Sequence, residues 1–393
     1  MYSLLLIIIY ISFISLGLPD TLLGSAWPSM YHNLNVPVSY AGIISMIIAG
    51  GTILSSLYSY KLIQKIGTGK VTAISVMMTA FALFGFSISN SFILLCLWAI
   101  PYGLGAGSVD AALNNFVALH YKSRHMSWLH CFWGIGATTG PYIMGYMLAG
   151  GRGWNSGYRF ISIFQILLTA VLVFSLPLWK KINTGETEKT SKHISLTMKE
   201  LIKLPGAKPA LTAFFCYAAF ELTTGLWGAS YMVINRSMSP EKAAKWASLF
   251  YLGITCGRFI SGFVTFKLSD RNMVRIGEGL ALIGVILLLL PFGNTLMCFG
   301  FIMIGIGCAP IYPSLLHQTP EFFGADLSQA VMGMQMACAY IGSTFIPPLF
   351  GLIADKFNIL WYPLFLLVFL VIMIVLVEKM NHTKHPQSQN MKD

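Results

Sequence analysis

Charge is what this sequence has least of. Of its 393 residues only 10% are charged, 25 basic and 14 acidic, while 56% are hydrophobic. Soluble domains carry about 25% charged and about 45–50% apolar residues, so the chain lacks the charge to cover a globular surface of its size. A mean hydropathy of +0.70 agrees. A soluble enzyme, a disordered scaffold and a secreted disulfide domain are thereby excluded, and a polytopic helical membrane protein remains. No Lys or Arg precedes Lys61, so the apolar first 17 residues lack the basic start of a signal peptide and read as a retained first span. No C-x-x-C pair occurs, and Cys96, Cys131, Cys216, Cys256, Cys298, Cys308 and Cys338 all fall in apolar segments. Neither a disulfide framework nor a zinc site is indicated. The G-x-x-x-x-G-K-[ST] phosphate loop is also missing, which excludes ATP as an energy source. The histidines show no metal-ligand spacing. No metal, cofactor or enzymatic centre is expected.

What the sequence has is long apolar segments. A bilayer core about 30 Å thick needs roughly 20 apolar residues per helix. Twelve such segments are predicted, at about 3–30, 39–60, 71–89, 91–119, 127–149, 158–179, 209–234, 245–267, 274–292, 296–317, 328–353 and 361–379. The one long polar stretch, Lys180 to Lys208, holds seven Lys and three Glu and separates spans six and seven. The expected organisation is an N-terminal six-helix bundle (1–179), a linker (180–208), a C-terminal six-helix bundle (209–379) and a tail (380–393). The fold class is thus an all-α membrane protein of twelve transmembrane helices in two six-helix bundles. With the amino terminus inside, the inner loops, linker and tail hold eighteen Lys plus Arg, among them Lys122, Lys267, Lys384 and Lys392, and the outer loops six. That imbalance predicts a multi-pass protein of the cell membrane with both termini cytoplasmic. It also accounts for the net charge of +11 without a nucleic-acid partner.

The two halves are copies. Gly24-Ser25-Ala26-Trp27 in span one matches Gly228-Ala229-Ser230-Tyr231 in span seven, and Gly103-x-Gly105 in span four matches Gly305-x-Gly307 in span ten. Gly136, Pro141 and Gly145 of span five match Gly342, Pro347 and Gly351 of span eleven. Parallel halves related by an axis along the membrane normal are the plan of major-facilitator transporters, which hold substrate near the bilayer midplane. The chain resembles that superfamily over essentially its whole length. The loop Tyr60-Lys-Leu-Ile-Gln64-Lys65-Ile-Gly67-Thr-Gly-Lys70 is similar to the superfamily's G-x-L-A-D-R-x-G-R-K signature, with Gln64 at the acidic position and Lys65 at that of Arg. Its counterpart after span eight keeps the pair Asp270-Arg271. The span-five pattern Gly136-x3-Gly140-Pro141-x3-Gly145 is similar to patterns of drug–proton antiporters, although close helix packing explains small residues spaced by four in any membrane bundle.

Two narrower motifs, Gly17-Leu-Pro-Asp20 in span one and Asp110-x3-Asn114-Asn115 in span four, resemble the fucose-permease branch, which imports sugars with protons. There an Asp lies in the first helix and a Glu, followed four residues later by Asn, in the fourth. Asp110 stands in place of that Glu, one methylene shorter. The resemblance implies a fold of two pseudo-symmetric bundles, alternating access and proton-coupled sugar import.

The residues themselves support an embedded polar site. Asp20, Asp110, Glu221 and Arg258 are read as the ionisable residues within spans, where a charge costs on the order of 2.5–3.5 kcal/mol or more. Such residues face a cavity or a partner; Glu221 and Arg258, on neighbouring helices, can bind substrate or simply pair. Asp20 and Asp110 are the candidate proton-coupling residues. A sugar site needs carboxylates, amides and aromatic faces converging in a partly apolar cleft. The candidate substrate-binding set is Asp20, Asp110, Asn114, Asn115, Trp27, Trp133, Glu221, Trp227, Tyr231, Arg258, Tyr312 and His317. The expected partners are a small-molecule substrate, protons and the lipid bilayer, with the chain working as a monomer. A proton-driven exporter of drugs or metabolites, a sodium-coupled symporter and a non-transporting receptor are the alternatives.

Overall fold

The computed structural model describes residues 2–121, 123–180, 198–264, 268–291 and 293–382. Most of the linker expected at 180–208, the tail beyond 382 and the loop cations Lys122, Lys267, Lys384 and Lys392 lie outside them. Among the described residues there is no strand. Helices α1 (Tyr2–Asp20) and α2 (Leu22–Leu34) together form span one, and α3 (Tyr40–Ile66), α4 (Thr68–Ile88), α5 (Phe92–His120), α6 (Ser123–Ala149) and α7 (Gly153–Lys180) are spans two to six. After the short α8 (Met198–Ile202) come α9 (Ala207–Arg236), α10 (Pro240–Val264), α11 (Asp270–Leu289) and α12 (Gly293–His317), spans seven to ten. The short α13 (Thr319–Phe323) precedes α14 (Ala325–Lys356) and α15 (Tyr362–Asn381), spans eleven and twelve. Helix is the form a lone segment must take in lipid, where every backbone group needs a partner within the protein.

Nine spans among the described residues are long and apolar enough to cross a membrane by composition alone. Of the other three long helices, α3 is apolar over Tyr40–Ser56, while α6 and α9, with 27 and 30 residues, are diluted by Gly, Ser, Thr and aromatic residues. These three carry much of the close helix packing. Without a hydrophobic driving force between helices, small residues that let backbones approach supply the contact. A Cβ on Gly17 would fall 2.1 Å from the Trp133 carbonyl, and one on Gly136 would fall 2.1 Å from that of Ile14. Span one thus lies directly on span five, and Gly140, whose Cβ would meet Leu18 O at 2.3 Å, extends the seam. The Gly-Pro pattern of span five is a packing surface.

The sequence repeat reappears as a repeat of packing. Gly103 faces α3 at Ile48 and Gly105 faces α4 at Ser75 and Thr79. Their counterparts do the same: the Cα of Gly305 lies against Gly253 of α10, and Gly307 meets Gly277 and Ala281 of α11. Gly342 meets Phe215 and Ala219 of α9 as Gly136 meets Ile14 and Leu18 of α1. The described chain clusters into two compact units, one of Met1–Thr187, Gly225–Leu252 and Pro348–Leu360, the other of Glu188–Thr224, Gly253–Pro347 and Trp361–Asp393. Inside the first unit, Gly24 meets the carbonyl of Gly225, Gly42 meets Pro348, and both carboxylate oxygens of Asp355 accept from the Ser39 N–H at 3.3 Å, near the start of α3.

Span one is not continuous. It breaks at Thr21, after Pro19. Proline has no N–H and so frees the carbonyl four residues back, here Ser15. Gln165 of α7 takes it, its Nε2 donating to Ser15 O at 2.7 Å, while Thr79 of α4 donates to Gln165 Oε1 at 2.7 Å. Pro141 in α6 frees Ala137 O in the same way, and Thr21 Oγ1 donates to it at 3.0 Å. The break in span one is therefore tied on one side to spans three and six and on the other to span five.

Replacing Gly136 by Leu should lower thermal stability in detergent by about 1–3 kcal/mol or prevent folding, the cost of overpacking. Gly50, which has nothing within 4 Å of an added Cβ, should accept Ala with unchanged or higher stability. Equal melting temperatures for G136L and G50A would contradict the close seam.

Candidate functional site

Asp20 is the last residue of α1, between Pro19 and Thr21. Both its oxygens are engaged from other helices. The Tyr102 hydroxyl of α5 donates to Oδ1 at 3.1 Å and Trp133 Nε1 of α6 donates to Oδ2 at 2.9 Å. Buried residues flank it in the chain, yet Asp20 itself is exposed, so the carboxylate is held by two helices and still open to a small solute. The Gly17 seam explains the register, because the Trp133 backbone lies against Gly17 one turn before Asp20.

Asp110 lies on α5, the helix that also carries Tyr102. Its Oδ1 accepts from Asn114 Nδ2 at 2.9 Å, and the same amide nitrogen also donates to the Asp110 carbonyl at 3.1 Å. The i, i+4 spacing makes this contact local to one helix face. Asn115 is helical, but its side chain lies outside the described ones. Phe13 and His130 stand edge to face at 6.0 Å on α1 and α6. Asp110 and Asn114 are thus brought together on one helix, and Asp20 and Trp133 across two. Tyr102 joins Asp20, and the sequence reading missed it. Tyr102 precedes Asp110 by eight residues on the same helix, a little over two turns, a spacing that does not tie it to Asp20.

A second cluster occupies the other unit. Arg258 of α10 pairs with Glu221 of α9 at 3.9 Å, with the side chains 20% and 15% exposed. Tyr217, one turn before Glu221, donates to the Cys308 carbonyl of α12 at 3.1 Å. The Tyr312 ring stands edge-on to that of Phe214 at 5.3 Å and tilted against that of Tyr217 at 5.8 Å.

The remaining candidates are placed elsewhere. Trp27 is fully buried and its indole N–H donates to Val38 O at 2.7 Å. Trp227 is fully buried against Phe350, 5.8 Å between centroids, and against Gly351. Tyr231 is buried near it in sequence, one turn on. His317 stands at the exposed end of α12, where its Nδ1 meets Asp270 Oδ2 at 2.6 Å; Arg271 pairs with Glu321 at 3.1 Å beside it. The Asp-Arg pair after span eight therefore works as a clasp between the ends of α11, α12 and α13.

The count of four ionisable residues within spans needs correction. Glu278, inside the segment 274–292, is buried in α11 at 3% exposure, with its Oε1 lacking a hydrogen bond among the described residues. Arg275, one turn earlier, is held bidentately by Glu378 of α15 at 2.6 and 2.8 Å. The position of Glu278 within an apolar segment was the overlooked signal. Among the described residues no group of three or more His, Cys, Asp or Glu could hold a metal ion.

Twelve long helices whose packing repeats between the two halves, with acids within spans one and four, are the plan of a membrane transporter, and comparison with known proteins identifies which kind. The sequence profile of the Major Facilitator Superfamily matches residues 9–292 and 210–392, and the chain belongs to that family. It is therefore a multi-pass membrane transporter of small molecules and not an enzyme. It is 23% identical to bypass of stop codon protein 6 of Saccharomyces cerevisiae, over 90% of this chain and 78% of that protein. It is 21% identical to the glucose/mannose transporter GlcP of Bacillus subtilis, over 95% and 94%. Its fold matches the crystal structure of a bacterial homologue of the human lysosomal transporter Spinster with a TM-score of 0.78, at 11% identity and 98% coverage of both chains.

The Glu221–Arg258 contact makes a separable prediction. E221Q or R258Q alone removes one charge of the pair and leaves the other, whereas the double variant removes both. Thermal unfolding of the three should give a coupling of roughly 1–3 kcal/mol, with the double variant more stable than additivity allows. Additive losses would mean that the contact contributes nothing.

Proposed function

We propose that this chain is a proton-coupled importer of a sugar that works by alternating access, with Asp20 as the proton carrier and Asp110, Asn114 and Trp133 as substrate contacts. The observation that carries the reading is the pair of bonds on Asp20, one from Tyr102 and one from Trp133. An indole N–H can only donate, whereas a phenol can donate or accept. A proton added at Oδ2 would sever the Trp133 bond. A proton added at Oδ1 preserves both contacts if the Tyr102 hydroxyl rotates from donor to acceptor. Its own O–H hydrogen is then released and can be offered to a sugar hydroxyl, so loading the proton presents a donor that the unprotonated site keeps for itself. Asp110 with Asn114, on the same helix as Tyr102, supplies acceptor and amide for further hydroxyls in this reading, and the Trp133 ring offers an apolar face.

The sugar assignment draws on the fucose-permease-like motifs and on similarity to a glucose/mannose transporter, at 21% identity. In this reading the six-helix halves, 1–179 and 209–379, are the moving bodies and both termini lie in the cytoplasm of a cell whose plasma membrane holds the protein. Trp27, Trp227 and Tyr231 act as packing groups, and His317 belongs to the Asp270 clasp.

Proteoliposomes loaded with buffer and given radiolabelled hexoses test the proposal. Accumulation should require an inward proton gradient and persist without sodium. Asp20→Asn should abolish uphill accumulation while retaining much of the exchange of labelled for unlabelled sugar. Tyr102→Phe should raise the KM about tenfold or more, the loss of one buried hydrogen bond. Uphill uptake that survives in D20N would move the proton elsewhere. Accumulation driven only by sodium, or by an outward gradient with a cationic drug, would replace the reading by sodium symport or by export.

A further inference from the structure

A groove runs along the outside of the first six helices, between spans two and three. Helices α3 and α4 stand apart because α5 is wedged between them, seating Gly103 and Gly107 on α3 and Gly105 on α4. The walls are apolar: Leu54, Tyr58 and Leu62 from α3, Ile74 and Met78 from α4, with Leu104 in the floor. Its volume is about 460 Å³, within the range of small-molecule sites, ~300–1,000 Å³. Most of the wall residues are exposed, Tyr58 by 58% and Leu54 by 55%, so the groove opens to the surroundings. Ser108, also in the floor, precedes Asp110 by two residues, about 200° of helix rotation. The groove therefore backs on to the face of α5 opposite the carboxylate site and is not part of it.

One end of the groove has a distinct chemistry. Ile66 and Val71, its last lining residues on each wall, flank the tight connection from α3 to α4, where Gly67 takes a positive φ of 82°. Lys65 and Lys70 directly precede them, and both are exposed. Among the described residues neither is in an ion pair. No acidic residue occurs anywhere between Asp20 and Asp110, so neither these two helices nor their connection contains a carboxylate to neutralise them. An apolar trough flanked at one end by two exposed lysines, in no ion pair among the described residues, matches an amphiphile with one anionic end. Basic pockets between membrane helices recognise acidic lipid headgroups for the same reason.

We propose that this groove binds one anionic glycerophospholipid of the leaflet on the side of the α3–α4 connection. An acyl chain lies between Leu62 and Ile74 over the floor of Leu104, and the phosphate meets Lys65 and Lys70. A zwitterionic lipid offers the same chain, but its choline cancels the charge the lysines select. The site is independent of the proposed sugar transport, because it faces away from Asp110 and its test measures binding alone.

The full chain, purified in a mild detergent and titrated with phosphatidylglycerol or phosphatidylcholine of matched chains, would be followed by native mass spectrometry. At about 1 kcal/mol for each lysine, one phosphatidylglycerol should bind per chain on the order of 30-fold more tightly than phosphatidylcholine. K65Q/K70Q, both at exposed positions, should bring the two affinities together without changing the melting temperature. Ser108→Phe, which fills the floor, should displace phosphatidylglycerol with the lysines intact. Equal retention of the two lipids in the parent chain would overturn the proposal, as would a preference that survives K65Q/K70Q. So would competition by chain-free glycerophosphoglycerol as strong as that of the whole lipid, since the groove would then contribute nothing.

Discussion

Two carbonyl groups that prolines leave without a donor shape this protein's N-terminal helices. In lipid no water is present to satisfy them, and an orphaned carbonyl costs several kcal/mol. Pro19 frees Ser15 O and Pro141 frees Ala137 O; Gln165 and Thr21 fill the two gaps. Each repair crosses between helices, so each backbone defect becomes an interhelical tie. Span one is held on spans three and six above its break and on span five below it. The residue between these anchor points is Asp20. Its carboxylate is aimed at Trp133 and Tyr102 because the chain on either side has no other place to go.

Close glycine seams make those ties possible. Thr21 reaches Ala137 O only because Gly17, Gly136 and Gly140 remove side chains from the interface of α1 with α6. The counterpart seam in the second half, Gly342 against Phe215 and Ala219, is built in the same way but serves a different centre. There the embedded charges are Glu221 and Arg258. Duplication thus preserved the backbone contacts, which depend on the absence of side chains, and let the polar groups diverge.

The difference between what was legible in the sequence and what was not follows the range of the interactions. Span positions, the repeat and the embedded acids are written locally, in hydropathy and in the spacing of Gly, Pro and Asp, and a family resemblance could be read from them. The Asp110–Asn114 contact was legible for the same reason, being one helical turn long. Partners from distant segments were not. Nothing near Gln165 in the chain says that it will satisfy Ser15, and nothing near Tyr102 points to Asp20, 82 residues away. Trp27 and Trp227 looked like binding-site aromatics because membrane depth can be read from sequence, whereas the direction a side chain takes at that depth cannot. The partner of His317 was not legible either: Asp270 stands 47 residues away, at the start of the preceding helix.

The two polar clusters differ in a way that bears on coupling. Glu221 and Arg258 carry opposite charges, so the pair is neutral as it stands, and adding a proton to it creates net charge in an apolar setting. The Asp20–Asp110 cluster contains no cation among its described contacts; its donors are Tyr102, Trp133 and Asn114, all neutral. Adding a proton there removes net charge from the cluster. Of the two clusters only the first becomes electrically simpler when loaded. A carrier that must cross its cycle both loaded and empty needs a centre whose charge changes while its geometry holds, and in the proposed cycle a reversible Tyr102 hydroxyl gives Asp20 that property. In the proposed cycle the second cluster therefore contributes fixed structure and polar surface, and the proton belongs to the first.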